Sequence, residues 1–164
     1  KLRDRFTDTV FSFRATRTLF RAYQFRPVIK LLGTNQLRLL IADKVGLGKT
    51  IEAGLIWTEL EARMAANRVL VVCPSSLVRK WQSEMYERFG FELERLTSDS
   101  LAALAERMRQ NRMPHRCAYV VSVEALRLWE QLDEVTELGL SFDLVVADEA
   151  HIFRNSETKS HQLA

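Results

Sequence analysis

Two spaced glycines followed by a lysine and a threonine, Gly46-Leu47-Gly48-Lys49-Thr50, are residue types that can hold a chain of phosphates. The stretch from Ala42 through Asp43, Lys44 and Val45 to Thr50 follows an apolar run and opens a helical pattern, the setting a phosphate loop requires. Glycines at 46 and 48 let the backbone curl so that successive N–H groups point into one hollow, at the positive end of the next helix. Lys49 would reach the β- and γ-phosphates, and the Thr50 hydroxyl would hold Mg²⁺. Asp43 stands where the general G-x-x-x-x-G-K-T pattern has its first glycine, so a strict pattern search misses the loop. The bland alternative is a strand-to-helix turn whose Lys49 and Thr50 are incidental.

A second set of chemistry-bearing residues lies about 100 residues further on. Asp143-Leu-Val-Val-Ala-Asp148-Glu149-Ala150-His151 is an apolar run ending in paired acids. Carboxylates at the C-terminal end of a strand lie on the rim where open α/β sheets bind ligands. Asp148 would complete the Mg²⁺ shell, directly or through water, and Glu149 would orient and deprotonate an attacking water. The competing reading makes both acids favourable helix N-terminal residues. A phosphate loop upstream tips the balance toward catalysis.

These residues need elements to position them. Leu37–Ala42 reads as a strand, and a helix is expected from about Thr50 to Ala66. Val69–Cys73 is a second strand, stopped at Pro74, with a helix from about Leu77 to Phe89. A short strand is expected within Glu92–Leu96, a helix over Leu101–Arg112, a strand over Cys117–Val121 and a helix over Glu124–Leu132. Asp143–Ala147 is the last strand. Residues 7–22 carry apolar side chains among arginines and predict an amphipathic helix, with Pro27 near the start of the next one. Fully apolar strands alternating with helices argue a mostly parallel sheet covered on both faces, so the expected class is a three-layer α/β sandwich.

Composition bounds the function classes. Of 164 residues, 47% are hydrophobic and 27% charged, which is ordinary for a globular domain. No apolar run has the length of a membrane span, and no apolar segment follows the charged N-terminus as a secretory leader would require. Cys73 and Cys117 both fall in strand patterns and are expected as buried thiols of a cytoplasmic protein, without a disulfide or a metal role. The net charge of +3 is uneven: residues 1–30 carry eight Lys/Arg against Asp4 and Asp8. Such an arm could meet phosphate backbone or form a solvated helix face.

The motifs together resemble the Swi/Snf-type branch of superfamily 2 helicases, closest to the bacterial RapA/HepA-like type. Asp148-Glu149-Ala150-His151 matches motif II, and Asp43–Thr50 resembles motif I, continued by Ile51-Glu52-Ala53-Gly54. Tyr23-Gln24-Phe25-Arg26-Pro27 is similar to the upstream glutamine motif, which implies an adenine-reading role for Gln24 with Arg26 beside it. Val71–Leu77, followed by Trp81 and Glu84, resembles motif Ia, and Val120–Glu124 resembles motif Ib. Phe153-Arg154-Asn155 also fits. By this resemblance Pro74, Ser75, Ser76 and Ser122 belong to a nucleic-acid face, and His151 couples the ATP site to a second lobe. Core packing is the preferred reading of Trp81 over base stacking, and Gln24 reads equally well as a surface helix residue. Lys44 departs from the family, which usually has an acid there.

The resemblance implies a RecA-like P-loop lobe over residues 23–164, truncated after motif II and preceded by a basic helical extension over residues 1–22. It implies ATP and Mg²⁺ as cofactors, and double-stranded DNA and a second RecA-like lobe as partners. RNA polymerase or a defence complex is a further partner to consider. The expected activity is that of a DNA-dependent ATPase and translocase. A strand-separating helicase, the motor of a restriction or defence system, and a nucleotide switch without turnover are the alternatives. The second lobe would bring an arginine finger, worth about 10³–10⁵ in turnover, so these residues alone are expected to bind ATP and hydrolyse it poorly.

Overall fold

The computed structural model describes residues 21–34, 38–42, 48–130, 132–137 and 139–150. Most of the helix expected over residues 7–22, the loop residues Asp43–Leu47, and everything from His151 onward lie outside the described residues. The chain folds as two compact units, one from the segments up to Ala66 together with Glu84–Phe91, the other from Asn67–Ser83 and from Glu92 onward.

The first unit is helical. A 3₁₀ turn, Ala22–Phe25, runs into α1, Arg26–Gly33, whose first turn holds Pro27 as expected. That position needs no backbone N–H, so proline fits. The helix α2, Lys49–Ala62, is buried at every position from Glu52 to Glu59. Its apolar residues Leu55 and Ile56 meet Phe25 and Val28 in one cluster. Two buried polar groups on α2 are satisfied locally: Thr58 Oγ1 donates to the Gly54 carbonyl at 2.8 Å, and Arg63 Nε donates to Glu59 Oε1 at 2.8 Å. Met64 adopts a left-handed φ of 56° and stops the helix four residues before the expected Ala66.

Aromatic rings of the Glu84–Phe91 segment finish this unit. Phe91 stacks on Trp57 with centroids 3.9 Å apart, and Phe89 lies nearly parallel to Phe91 at 6.3 Å. The expected strand over residues 37–42 is not borne out: Arg38–Ala42 carries no strand pairing. Leu39 and Ile41 pack against the helical cluster while Leu40 is exposed. A strand is defined by its ladder, and this unit has no strand among the described residues to offer one.

The second unit is built on four parallel strands: β1 Arg68–Cys73, β2 Glu94–Leu96, β3 Cys117–Ser122 and β4 Leu144–Ala147, in the order β2-β3-β1-β4. Register aligns Cys73 with Ser122 and Val72 with Ala147, which brings the C-terminal ends of β1, β3 and β4 to one rim. The connecting helices are α3 Val78–Phe89, α4 Ser98–Arg109, α5 Val123–Arg127 and α6 Leu132–Glu137. Leu101 and Leu104 of α4 and Leu126 of α5 share one cluster with Val72, Leu96, Tyr119 and Val121. Val71 and Cys73 alternate onto the other face. Right-handed crossovers put α3, which follows β1 toward β2, on that opposite face. Helices therefore stand on both faces, as the apolar strands implied, although β4 stays half-exposed, with Val145 open to solvent.

Helix limits depart from expectation where a cap intervenes. Thr97 caps α4 reciprocally with Ser100, its N–H donating to Ser100 Oγ at 2.6 Å, so the helix starts three residues before Leu101. Asn111, at a φ of 53°, follows its end. The helix expected over Glu124–Leu132 ends at Arg127, and α6 begins only at Leu132, with the buried Trp129 in the break between them. The two cysteines lie at opposite ends of the sheet, since Cys117 is in register with Arg68, five residues from Cys73. At about 3.3 Å per residue that is far beyond disulfide reach.

One acid closes the N-terminal rim. Asp143 Oδ2 accepts the backbone N–H groups of Asn67 and Arg68, each at 2.8 Å, while the Asp143 N–H donates to the Arg68 carbonyl at 2.8 Å. Asp143→Ala is expected to lose about 1–3 kcal/mol, because two strand-entry donors lose a charged acceptor. Thermal unfolding should register it as a midpoint several degrees lower, and an unchanged midpoint would contradict this role.

Candidate active site

Each unit presents its own set of the expected residues. In the first, Gly48 is the N-cap of α2 with φ 94° and ψ 37°, and Lys49 and Thr50 form the helix's first positions. Glycine is required at 48 on two grounds. The left-handed backbone excludes most side chains, and a Cβ there would come within 2.8 Å of Gln24 Nε2. Gln24 is 6% exposed, which overturns the surface reading of this residue. Its Oε1 accepts the Arg21 N–H at 2.9 Å, which turns the amide nitrogen toward Gly48. The upstream glutamine and the phosphate loop, 24 residues apart, are thus brought together. Gly46 and Leu47 lie outside the described residues, as does Lys44.

Beside this contact is a cavity of about 350 Å³, lined by Tyr23, Arg26, Lys30, Ile41 and the buried Glu52 among others. Its volume falls at the lower end of small-molecule sites. The exposed Arg26 and Lys30 supply positive charge at its wall, and Ala42, the last described residue before the phosphate loop, is at its edge.

In the second unit, Asp148 and Glu149 emerge from the C-terminal end of β4. The Asp148 N–H donates to the Val72 carbonyl at 2.9 Å and extends the strand pairing by one residue. Its carboxylate is held at both oxygens: Oδ1 accepts the Glu149 N–H at 2.9 Å, and Oδ2 accepts the Trp81 indole N–H at 2.9 Å. Glu149 follows with a left-handed φ of 54° and an exposed side chain. His151 lies outside the described residues.

The expected nucleic-acid residues frame the same rim. Ser75 and Ser76 are exposed in the 3₁₀ turn Ser75–Leu77 that leads into α3, with Pro74 at its N-cap. The Ser75 N–H donates to Glu124 Oε2 at 3.1 Å, which joins the motif Ia turn to the motif Ib helix. Ser122 is 9% exposed and its hydroxyl accepts the Ala125 N–H at 3.1 Å, so it caps α5. Cys73, fully buried at the end of β1, has its thiol pushed up to about 12, by burial first and then by the negative charges of Asp148 and Glu124. Burial also raises the Cys117 thiol and the Tyr119 phenol.

The Cys73 shift has a sign. A thiol protonated when folded and ionised when unfolded contributes stability below the unfolded value near 9, lost as pH climbs toward 12. Wild type should therefore lose stability in urea between pH 9 and 11 more steeply than Cys73→Ala. Parallel pH profiles would refute this.

The sequence foresaw a helix start at Gly48–Thr50 and the acids at a strand end, but not two of the contacts made here. It preferred Trp81 as core, and the ring is indeed only 3% exposed, yet its N–H is aimed at Asp148. A buried indole nitrogen usually finds an acceptor, and that was the available signal. Glu124 on Ser75 carried none, because a contact 49 residues apart is set by the sheet order.

The chemistry of Asp148 fits a magnesium ligand. Its carboxylate oxygens each hold one N–H and retain lone pairs. Among the described residues no three His, Cys, Asp or Glu side chains converge on a metal position. An ion here would share its ligands with phosphate oxygens and water, as Mg²⁺ characteristically does.

Residues 23–164 match the model of the SNF2-related domain. An uncharacterized ATP-dependent helicase of Bacillus subtilis (strain 168), YqhH, is 34% identical over 125 residues, which is 76% of this chain and 20% of that protein. The solved Sulfolobus solfataricus SWI2/SNF2 ATPase core in complex with dsDNA superposes with a TM-score of 0.66 at 19% identity, covering 94% of this chain and 31% of that one. The chain thus spans about a fifth of the curated relative and under a third of the solved one. The shared RecA-like architecture and the family match lead to one conclusion: this chain belongs to the SNF2-related domain family.

Proposed function

We propose that this chain is the ATP-binding lobe of a DNA-dependent ATPase that moves on double-stranded DNA or remodels protein bound to it. The observation that carries the reading is the Asp148 carboxylate, fixed at both oxygens at the C-terminal end of a parallel strand, in a chain that also begins a helix with Gly48-Lys49-Thr50. Lys49 neutralises the β- and γ-phosphates while the first N–H groups of α2 cradle them. Thr50 and Asp148 are the residues that would hold Mg²⁺, which would supply neutralisation of phosphate charge. Glu149 orients the attacking water and accepts its proton. Gln24 reads the adenine edge, with Arg26 at the wall of the neighbouring cavity. Gly46 and Leu47 complete the cradle, and His151 couples it to a second lobe.

The solved relative of this fold holds double-stranded DNA, which supports the same class of partner here, with the Pro74–Ser76 turn and Ser122 on the contact face. Residues 1–22 act as a basic extension to the lobe formed by 23–164. These residues alone bind nucleotide and turn it over slowly, because the second lobe supplies the arginine that stabilises the transition state. No described helix is long and apolar enough to cross a membrane. As a homologue of a bacterial helicase, the protein would act in the bacterial cytoplasm.

The test is a titration of a fluorescent ATP analogue with Mg²⁺ into this chain, beside Lys49→Ala. Saturable binding is expected in the wild type, weakened about 10- to 150-fold in the variant, the equivalent of losing one charge-assisted contact. Equal binding by both proteins would refute the phosphate loop.

A further inference from the structure

The Trp81–Asp148 hydrogen bond joins two parts of the proposed motor that the sequence keeps 67 residues apart. On one side is the carboxylate at the end of β4. On the other is α3, the helix that the Pro74–Ser76 turn leads into. Resting on the ATPase reading above, we propose that Trp81 is the positioning residue that fixes the Asp148 carboxylate for Mg²⁺-nucleotide, and that through it the Pro74–Ser76 turn acts on the metal side of the site.

Three observations carry this. First, a single indole N–H points at Oδ2 over 2.9 Å while the Glu149 N–H occupies Oδ1, so rotation of the carboxylate breaks one bond or the other. Second, the pairing is more than the satisfaction of a buried donor. Among the described residues the Trp129 indole N–H is also buried, and it has no hydrogen-bond partner. The fold therefore tolerates an unpaired indole, and Trp81 is directed instead at a charged acceptor, the stronger kind of bond. Third, Trp81 is 3% exposed and lies on the same helix as the buried Val78 and Met85, so its ring moves with α3 rather than independently. A shift of the Pro74–Ser76 turn on contact with a backbone phosphate changes the start of α3 and reaches Asp148 through about one helical turn and one hydrogen bond.

The decisive substitution removes the N–H and keeps the ring. Benzothienylalanine at position 81 replaces the indole N–H by sulfur in a side chain of nearly the same shape. The readout is the Mg²⁺ concentration that half-saturates binding of a fluorescent ADP analogue, with metal-free binding as the internal reference. Supporting groups behind metal ligands typically change metal affinity by about 10- to 100-fold. We expect a rise of about tenfold in the Mg²⁺ midpoint, unchanged metal-free binding, and no further rise when the substitution is added to Asp148→Asn.

An unaltered Mg²⁺ midpoint overturns the proposal, as does an effect that simply adds to Asp148→Asn, which would mark lost packing. Wild-type protein supplies a second measurement. The Trp81 indole resonance in a ¹⁵N–¹H spectrum should move on adding Mg²⁺-ADP and be displaced in Asp148→Asn. Indifference to Asp148→Asn overturns the proposal without reference to any variant of Trp81. Wild type that binds no nucleotide at any Mg²⁺ concentration would instead overturn the ATPase reading, and this inference with it.

Discussion

Gly54→Val is expected to destabilise the first unit more than any other single substitution considered. A Cβ at this position would lie 2.3 Å from Cε2, 2.5 Å from Cζ and 2.8 Å from Cδ2 of the Phe89 ring. No carbon approaches another that closely without something moving. The Phe89 ring has little room to move, because it lies along Phe91, which is stacked on Trp57. Placing even a methyl group here forces the rings apart, an overpacking loss of about 1–3 kcal/mol. Alanine would recover roughly 1 kcal/mol through its better helix propensity, so Gly54→Ala should be mildly destabilising. Valine adds two further methyl groups and should remove a large share of a domain's ~5–15 kcal/mol. Urea unfolding distinguishes the cases. A Gly54→Ala protein more stable than wild type would show that the ring contact is not a constraint, whereas recovery on adding Phe89→Leu would assign the loss to this pair.

Glu149→Gln should have the largest effect on turnover. If Glu149 accepts the proton of the attacking water, its removal lowers the DNA-stimulated ATPase rate of the intact protein by about 100- to 10,000-fold. Nucleotide affinity should stay within a few-fold of wild type, because the residue is exposed at the rim and Asp148 keeps its two N–H donors. Gln retains the shape and leaves the backbone at residue 149 as it was. The comparison needs both a steady-state rate and a binding curve. A rate within tenfold of wild type would remove Glu149 from the role of base.

The parts of this protein that were legible in the sequence are those fixed by near neighbours. Gly48, Lys49 and Thr50 announce a helix start within three residues, and the valine-rich runs Val69–Cys73 and Leu144–Ala147 announce parallel strands, the first largely buried and the second half-exposed. The nearly continuous apolar run around Leu39–Ile41 looked the same by composition, yet carries no strand, because a ladder depends on a partner that composition does not reveal. Helix limits moved wherever a cap outweighed periodicity, as Thr97 does at α4. The contacts that were illegible are long-range: Trp81 to Asp148, Glu124 to Ser75, Asp143 to the start of β1, and Phe89 over Gly54. Each is a consequence of strand order or helix docking, and none leaves a trace in local spacing.

If Glu149 is the base, its left-handed backbone sets stability against function at a single codon. Most side chains are strained in that conformation by roughly 1 kcal/mol or more, and glycine is not. A library of variants screened only for abundance in cells should therefore enrich glycine at position 149, and asparagine less strongly. Selection for growth that depends on the motor should deplete the same variants. Positions at which those two screens disagree in sign would mark the sites where this fold holds a residue against its own conformational preference, and Glu149 should head that set.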